Sequence, residues 1–278
     1  MLRSGARKSM AYSHPGWGRD WRRKMARKNS RASSNRSRFF IAMRVMRNVY
    51  LSCKDNVLSE RTTPTPAYHT NATRTTEIVA VVLTGFGKFL FVDWLHLKFW
   101  YVTTACLLWI AYILYRIKTN RDVPAYWGFR KEGFRNSLRW IGPVSLVALV
   151  AFIVLGTARE TLVFNWHILP IMILYPLWGT IQQFLIIGLI ARNMEDWEGR
   201  KAGKAAIVVV SSIVFSIVHF PSIPLVVATA LLAIGYTIIY LQYRNLWILG
   251  LFHGWLGCFF YFFVLGRDPW LEFVSAVL

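Results

Sequence analysis

From Ile78 onward the sequence alternates long apolar runs with short polar loops: roughly 78–95, 99–115, 140–157, 166–191, 205–220, 223–242 and 246–265. A helix of about 20 apolar residues crosses the hydrocarbon core of a bilayer, and the shorter runs fall near that limit. The pattern predicts an all-α polytopic membrane helix bundle of about seven transmembrane helices. Composition agrees: 55% of the residues are hydrophobic and 16% aromatic, with 13 Trp. That is more apolar and aromatic than an average soluble domain. Mean hydropathy is +0.37.

The net charge of +20 would suit nucleic acid, but its placement points to a lipid surface instead. Seventeen Lys and Arg precede the first run, seven lie between the second and third (Arg116 to Arg139), and four between the fourth and fifth. With Arg244, these make 29 of the 33 basic residues, all on one side if the N-terminus is cytoplasmic. The positive-inside rule therefore predicts N-in and C-out. Trp94, Trp100, Trp140, Trp166, Trp197, Trp247 and Trp270 fall near run ends, as an aromatic belt would. The expected partner is the lipid bilayer, with no nucleic acid.

Residues 1–77 read as a basic, disordered cytoplasmic arm and linker. Residues 1–40 hold Asp20 as their only acid and lack an apolar stretch followed by a small-residue cleavage site. An over-extended start, with Met43 or Met46 as the true one, and an Arg- and Ser-rich transit peptide are the other readings. The stretch 61–76 reads as a polar linker, and its Asn71-Ala72-Thr73 sequon is discounted as cytoplasmic. Residues 78–278 form the transmembrane domain. Cys53, Cys106 and Cys258 are too dispersed for a disulfide framework or a thiolate metal site.

Three runs carry polar residues at membrane depth: Gln182 and Gln183 in the fourth, His219 after Phe215 in the fifth, and His253 in the seventh. At 1.5 Å per residue these lie roughly 15, 21 and 10 Å from the inner face, so one interior cavity can hold them all. Such residues usually face a bundle interior or a functional cavity. Singly, each also has a packing explanation, because Gln and His hydrogen-bond between spans. Tyr175, Trp178 and Phe215 suit packing, and Pro176, Pro221 and Pro224 suit span ends or kinks.

The order of these segments resembles the CPBP family of intramembrane glutamic proteases (CAAX protease and bacteriocin-processing, also called Abi), over about residues 165–265. That family carries Glu-Glu-x-x-x-Arg-Gly, then Phe-x-x-x-His, then His-x-x-x-Asn preceded by Leu-Trp. Here the first reads Gln182-Gln183-Phe184-Leu185-Ile186-Ile187-Gly188. The second reads Phe215 to His219, and the third Leu246-Trp247 with His253 to Gly257. The resemblance implies that the first acid activates water and the histidines hold water and oxyanion. In this chain Gln182 and Gln183 replace both acids, Ile187 the Arg and Gly257 the Asn. An amide cannot act as a general base, and Arg and Glu leaving together fits the loss of one ion pair.

No other residue supplies the base by position. Glu195 and Asp196 lie three turns from Gln182, Glu160 is in an outer loop, and Cys258 is off the helical face of His253. His219 and His253 are two ligands where zinc needs three or four, with His69, His96 and His167 poorly placed. No metal or other cofactor is expected.

The expectation is therefore a divergent CPBP protein, weak or inactive as a peptidase, whose cavity binds a membrane-embedded peptide or prenylated protein. The alternative is an active intramembrane endopeptidase using His219 or His253, with Gln182 and Gln183 as polar stabilisers. A channel or carrier is less favoured, for lack of a buried carboxylate pair. The resemblance places the chain in a bacterial cytoplasmic membrane, with an organellar or endoplasmic-reticulum membrane as alternatives.

Overall fold

The computed structural model describes residues 69–199 and 202–277. The expectations for residues 1–68 (the arm, the transit peptide, the alternative starts, Cys53 and most of the linker) lie outside the described residues. Among those described there is no strand, and the protein is an all-α multi-pass membrane bundle. The helices are α1 Asn71–Gly87, α2 Lys98–Thr119, α3 Val123–Trp127, α4 Phe134–Ala158, α5 Ile168–Gln183, α6 Arg192–Glu195, α7 Lys204–Ile217, α8 Ile223–Tyr243, α9 Leu246–Phe259 and α10 Pro269–Val277. π-helical stretches extend α1 through Lys88–Trp94, join α5 to α6 through Phe184–Ala191, and extend α9 through Phe260–Val264. Six of the resulting rods are long and apolar enough to cross a membrane.

Several boundaries differ from the sequence expectation; the third span, expected at 140–157, begins at Phe134, and two other shifts bear on the site. The first span begins at Asn71, so residues 71–77 are helix rather than linker. The cause is local. Thr70 caps the helix by accepting the Thr73 N–H at 3.4 Å. The hydroxyls of Thr75 and Thr76 donate back to the carbonyls of Asn71 and Ala72 at 2.8 and 2.9 Å, satisfying themselves within the helix. The fifth run, expected at 205–220, ends as helix at Ile217. Its 14 residues rise about 21 Å, short of the ~30 Å core. Residues 218–222 then turn the chain back into α8, with the Ser222 N–H donating to the His219 carbonyl at 3.1 Å. His219 therefore sits in a turn and not on the helix.

The tightest pairing is between α5 and α9. Lipid gives helices no solvent-driven reason to associate, so close backbone approach through small residues supplies the contact. Gly179, Gly250 and Gly254 form that seam. A Cβ on Gly179 would lie 2.6 Å from the Gly254 nitrogen, and one on Gly254 would run into the backbone of Tyr175 and Pro176. The principal core lies beyond the seam, around Phe184, Ile187, Leu189, Ile190, Tyr240, Leu246 and Leu249. A smaller cluster joins Ile168, Ile171, Cys258, Phe262 and Phe263 at the opposite end of the same two helices. Cys258 thus packs as an apolar side chain away from His253.

Candidate functional site

Because the glycine seam holds α5 against α9, the last two residues of α5 come up against the imidazole in the middle of α9. His253 Nε2 is 2.8 Å from Gln182 Oε1, and His253 Nδ1 is 3.1 Å from Gln183 Nε2. A carbonyl oxygen only accepts, so Nε2–H donates to Gln182; Nδ1 is left bare and accepts from the Gln183 amide. Both ring nitrogens are occupied and the ring is neutral. Gln183 and His253 are buried, and Gln182 is half-buried. Gln183 Oε1 is buried with no hydrogen-bond partner among the described residues.

Phe215, buried near the end of α7, stands between the two histidines. Its ring centroid is 4.9 Å from that of His219 and 5.3 Å from that of His253, edge-on to both. His219 Nδ1 is 2.7 Å from the Phe215 carbonyl and donates to it. In the neutral ring, Nε2 of His219 then carries a lone pair. The structure thus gathers Gln182, Gln183, His219 and His253 into one group through Phe215, which the sequence offered both as a packing residue and as a supporting residue of the second motif. Ile187 and Gly257 stay apart from it. Ile187 is fully enclosed by apolar side chains. Gly257 faces Tyr175 with ordinary space for a Cβ, 3.7 Å from the Tyr175 ring.

Two ionic groups near this frame have no signature in the sequence pattern. On the π stretch after α1, Lys88 donates to Asp93 at 2.6 Å and to the carbonyl of Phe220, the residue after His219. A carboxylate therefore lies one lysine away from the turn that bears His219. The second group surrounds Glu77, which is 3% exposed. It accepts from Asn193 at 2.6 Å and from Tyr112, and pairs with Arg116 at 3.3 Å and with His69 at 3.6 Å. Lys88 and Asp93 could have been flagged by their position inside the run 78–95, whereas Glu77 falls just outside it. The acids nearest the motifs in sequence are otherwise committed: Glu195 to Arg244, and Asp196 to Arg192 at 3.0 Å and Tyr126 at 2.9 Å. His167 pairs with Asp268 at 2.6 Å, at the opposite end of α5 from the glutamines. No group of three or more His, Cys, Asp or Glu suited to a metal ion occurs among the described residues.

The family described as Rce1-like, type II CAAX prenyl endopeptidase Rce1-like, matches residues 143–259. The match begins inside α4, upstream of the motif-bearing stretch, and includes all three motif segments. Resemblance to the CPBP family is thus shown over that part of the chain. No curated protein and no solved structure gives a significant match.

Proposed function

We infer that this chain, CAAX-protease-like over residues 143–259, binds a membrane-embedded peptide or lipid-modified partner at the Gln182–Gln183–His219–His253 group and cleaves it weakly or not at all. One observation carries this: both nitrogens of His253 are engaged by amides. A ring so held has neither a free lone pair for a water proton nor a free N–H for an oxyanion. No carboxylate hydrogen-bonds to the four side chains among the described residues. The amide pair keeps polar atoms at this group without charge, as suits recognition of a peptide group inside a bilayer. The charge pattern supports an N-in, C-out orientation, in which the short α7 and the 218–222 turn together make the crossing that the six longer rods leave out.

A second reading rests on His219. Its Nδ1 proton is fixed on the Phe215 carbonyl, so a neutral ring presents a bare Nε2 that can accept a proton. In that reading His219 is the base of a residual endopeptidase and the glutamines stabilise charge.

The test is cleavage of tethered peptide substrates by the full chain in reconstituted vesicles, alongside substrate capture by crosslinking. Capture without turnover, reduced by Gln182→Ala, is the expected result. Turnover abolished by His219→Ala but retained in a fold-preserving control would overturn it in favour of the second reading.

A further inference from the structure

The hairpin of α1 and α2 is joined through a π stretch yet barely packed along its length. A cleft of about 700 Å³ separates the two helices, within the ~300–1,000 Å³ range of ligand sites. None of Gln182, Gln183, His219 or His253 lines it.

The facing residues are small: Ala72, Thr76 and Ala80 on one wall, Thr104 and Ala105 on the other. Small residues in membrane helices normally allow close approach, but here long polar side chains prop the walls apart instead. Trp109 Nε1 donates to Thr84 Oγ1 at 3.2 Å, Tyr101 donates to the Thr84 carbonyl, and Tyr112 and Arg116 reach Glu77. The cleft is also polarised. The Glu77–Arg116 pair and the Thr73 and Thr76 hydroxyls lie at the end where α1 begins; Leu83, Leu108 and Trp109 line the deeper part. From Ala72 to Thr84 the wall rises about 18 Å, close to the half-thickness of a ~30 Å hydrocarbon core.

We propose that this cleft is a lipid site, taking one acyl chain of a phospholipid from the leaflet at the α1 N-terminal end. The head group rests at Thr73, Thr76 and the Glu77–Arg116 pair. The occupant follows from the surroundings. Beside the cleft, both helices present Phe86, Leu107 and Leu114 at 59–62% exposure, so the cleft opens onto the bilayer itself. Its length matches one leaflet, and its paired opposite charges suit a zwitterionic head better than a strongly anionic one.

The test uses the full chain reconstituted with phospholipid brominated on its acyl chains, which quenches Trp on contact. Trp109 is only 9% exposed, so bulk lipid outside the cleft does not reach it. The Trp109 signal is taken as the difference between the wild-type chain and Trp109→Phe, and Trp100, 68% exposed, serves as the bulk control through Trp100→Phe. Expected is Trp109 quenching at least as strong as that of Trp100, lost when Ala80→Leu or Ala105→Leu fills the cleft. Native mass spectrometry of the wild-type chain, which needs no filled variant to fold, should show one phospholipid retained after detergent exchange. Trp109 left unquenched, no retained lipid, or a co-purifying peptide in place of lipid would each overturn the proposal.

Discussion

His253 is held at both ring nitrogens by two consecutive glutamines, Gln182 at 2.8 Å and Gln183 at 3.1 Å. The two amides match a neutral imidazole, one as acceptor and one as donor, and introduce no charge. It sits beside a glycine seam that fixes the separation of the helices bearing the three residues.

Removing either glutamine should destabilise the bundle unequally. Gln183→Ala deprives a buried ring nitrogen of its donor, an effect of about 1–3 kcal/mol. Gln182→Ala, at a half-buried position, should cost about 1 kcal/mol or less, because water can replace the amide. Thermal unfolding of both variants in detergent checks the order; equal shifts would contradict it.

Restoring an acid is expected to be tolerated, whereas restoring the Arg is not. Gln182→Glu places a carboxylate against His253 Nε2–H, where a charge-assisted bond can form. Ile187 is fully enclosed, so Ile187→Arg buries an unpaired cation and should destabilise by about 3–5 kcal/mol. Expression yield and melting temperature of the two single variants and the double variant will show whether the introduced carboxylate can reach the introduced guanidinium and offset that loss.

The glycine seam should reject a side chain. Gly254→Val pushes a branched group into the Tyr175–Pro176 backbone and is expected to cost about 1–3 kcal/mol or more by overpacking. Gly203→Val, where an added Cβ meets nothing within 4 Å, is the matched control. Loss of crosslinking between cysteines placed on facing positions of α5 and α9 would report the separation directly.

Glu77 and Arg116 should behave as one unit. Either Glu77→Gln or Arg116→Leu alone leaves a buried partner charge, worth about 3–5 kcal/mol. The double substitution should fall well short of the sum. A double-mutant cycle by thermal unfolding measures this coupling; strict additivity would show that the pair is not coupled.

Asp268, beyond the last span, gives an acid-side dependence. Burial raises its pKa, but hydrogen bonds from His167, Asn165 and the Leu271 N–H outweigh this and hold it below the usual carboxylate range. A depressed folded-state pKa contributes stability above the unfolded value of about 3.9 and loses it as pH falls through the folded value. Asp268→Asn should therefore flatten the stability profile on the acid side of about pH 4, measured by unfolding between neutral and strongly acidic buffer.

The spans and the polar residues of the site were legible because both are local properties. Apolar length announces a membrane helix, and Gln or His inside it is an exception that can be counted. The end of α7 was not legible, since the run after Lys204 holds no Lys, Arg, Asp, Glu, Gly or Pro before Pro221, and nothing else marks the turn that carries His219. Glu77 reads in sequence as part of the basic arm because its partner Asn193 lies 116 residues away, and pairing across that distance leaves no trace in a single sequence. The clamp on His253 was equally hidden. Motif spacing placed the glutamines and the histidine at similar depth, but only the seam of Gly179, Gly250 and Gly254 decides that they touch.

The π stretch Phe184–Ala191 lies between the glutamine pair and the ion-paired rim of Arg192, Asn193 and Asp196. Such stretches hold extra backbone within an otherwise α-helical rod, so this one sets the angular phase between cavity and rim. Deleting one residue within 184–191 would leave every motif letter in place, yet turn the rim by about 100° relative to the glutamines. Asn193 would leave Glu77, and the Arg192 guanidinium would leave the Tyr126 ring that it covers at 4.4 Å. For this chain, then, the count of residues after Gln183 carries information that the motif letters do not, and two sequences with the same letters and different counts would be different machines.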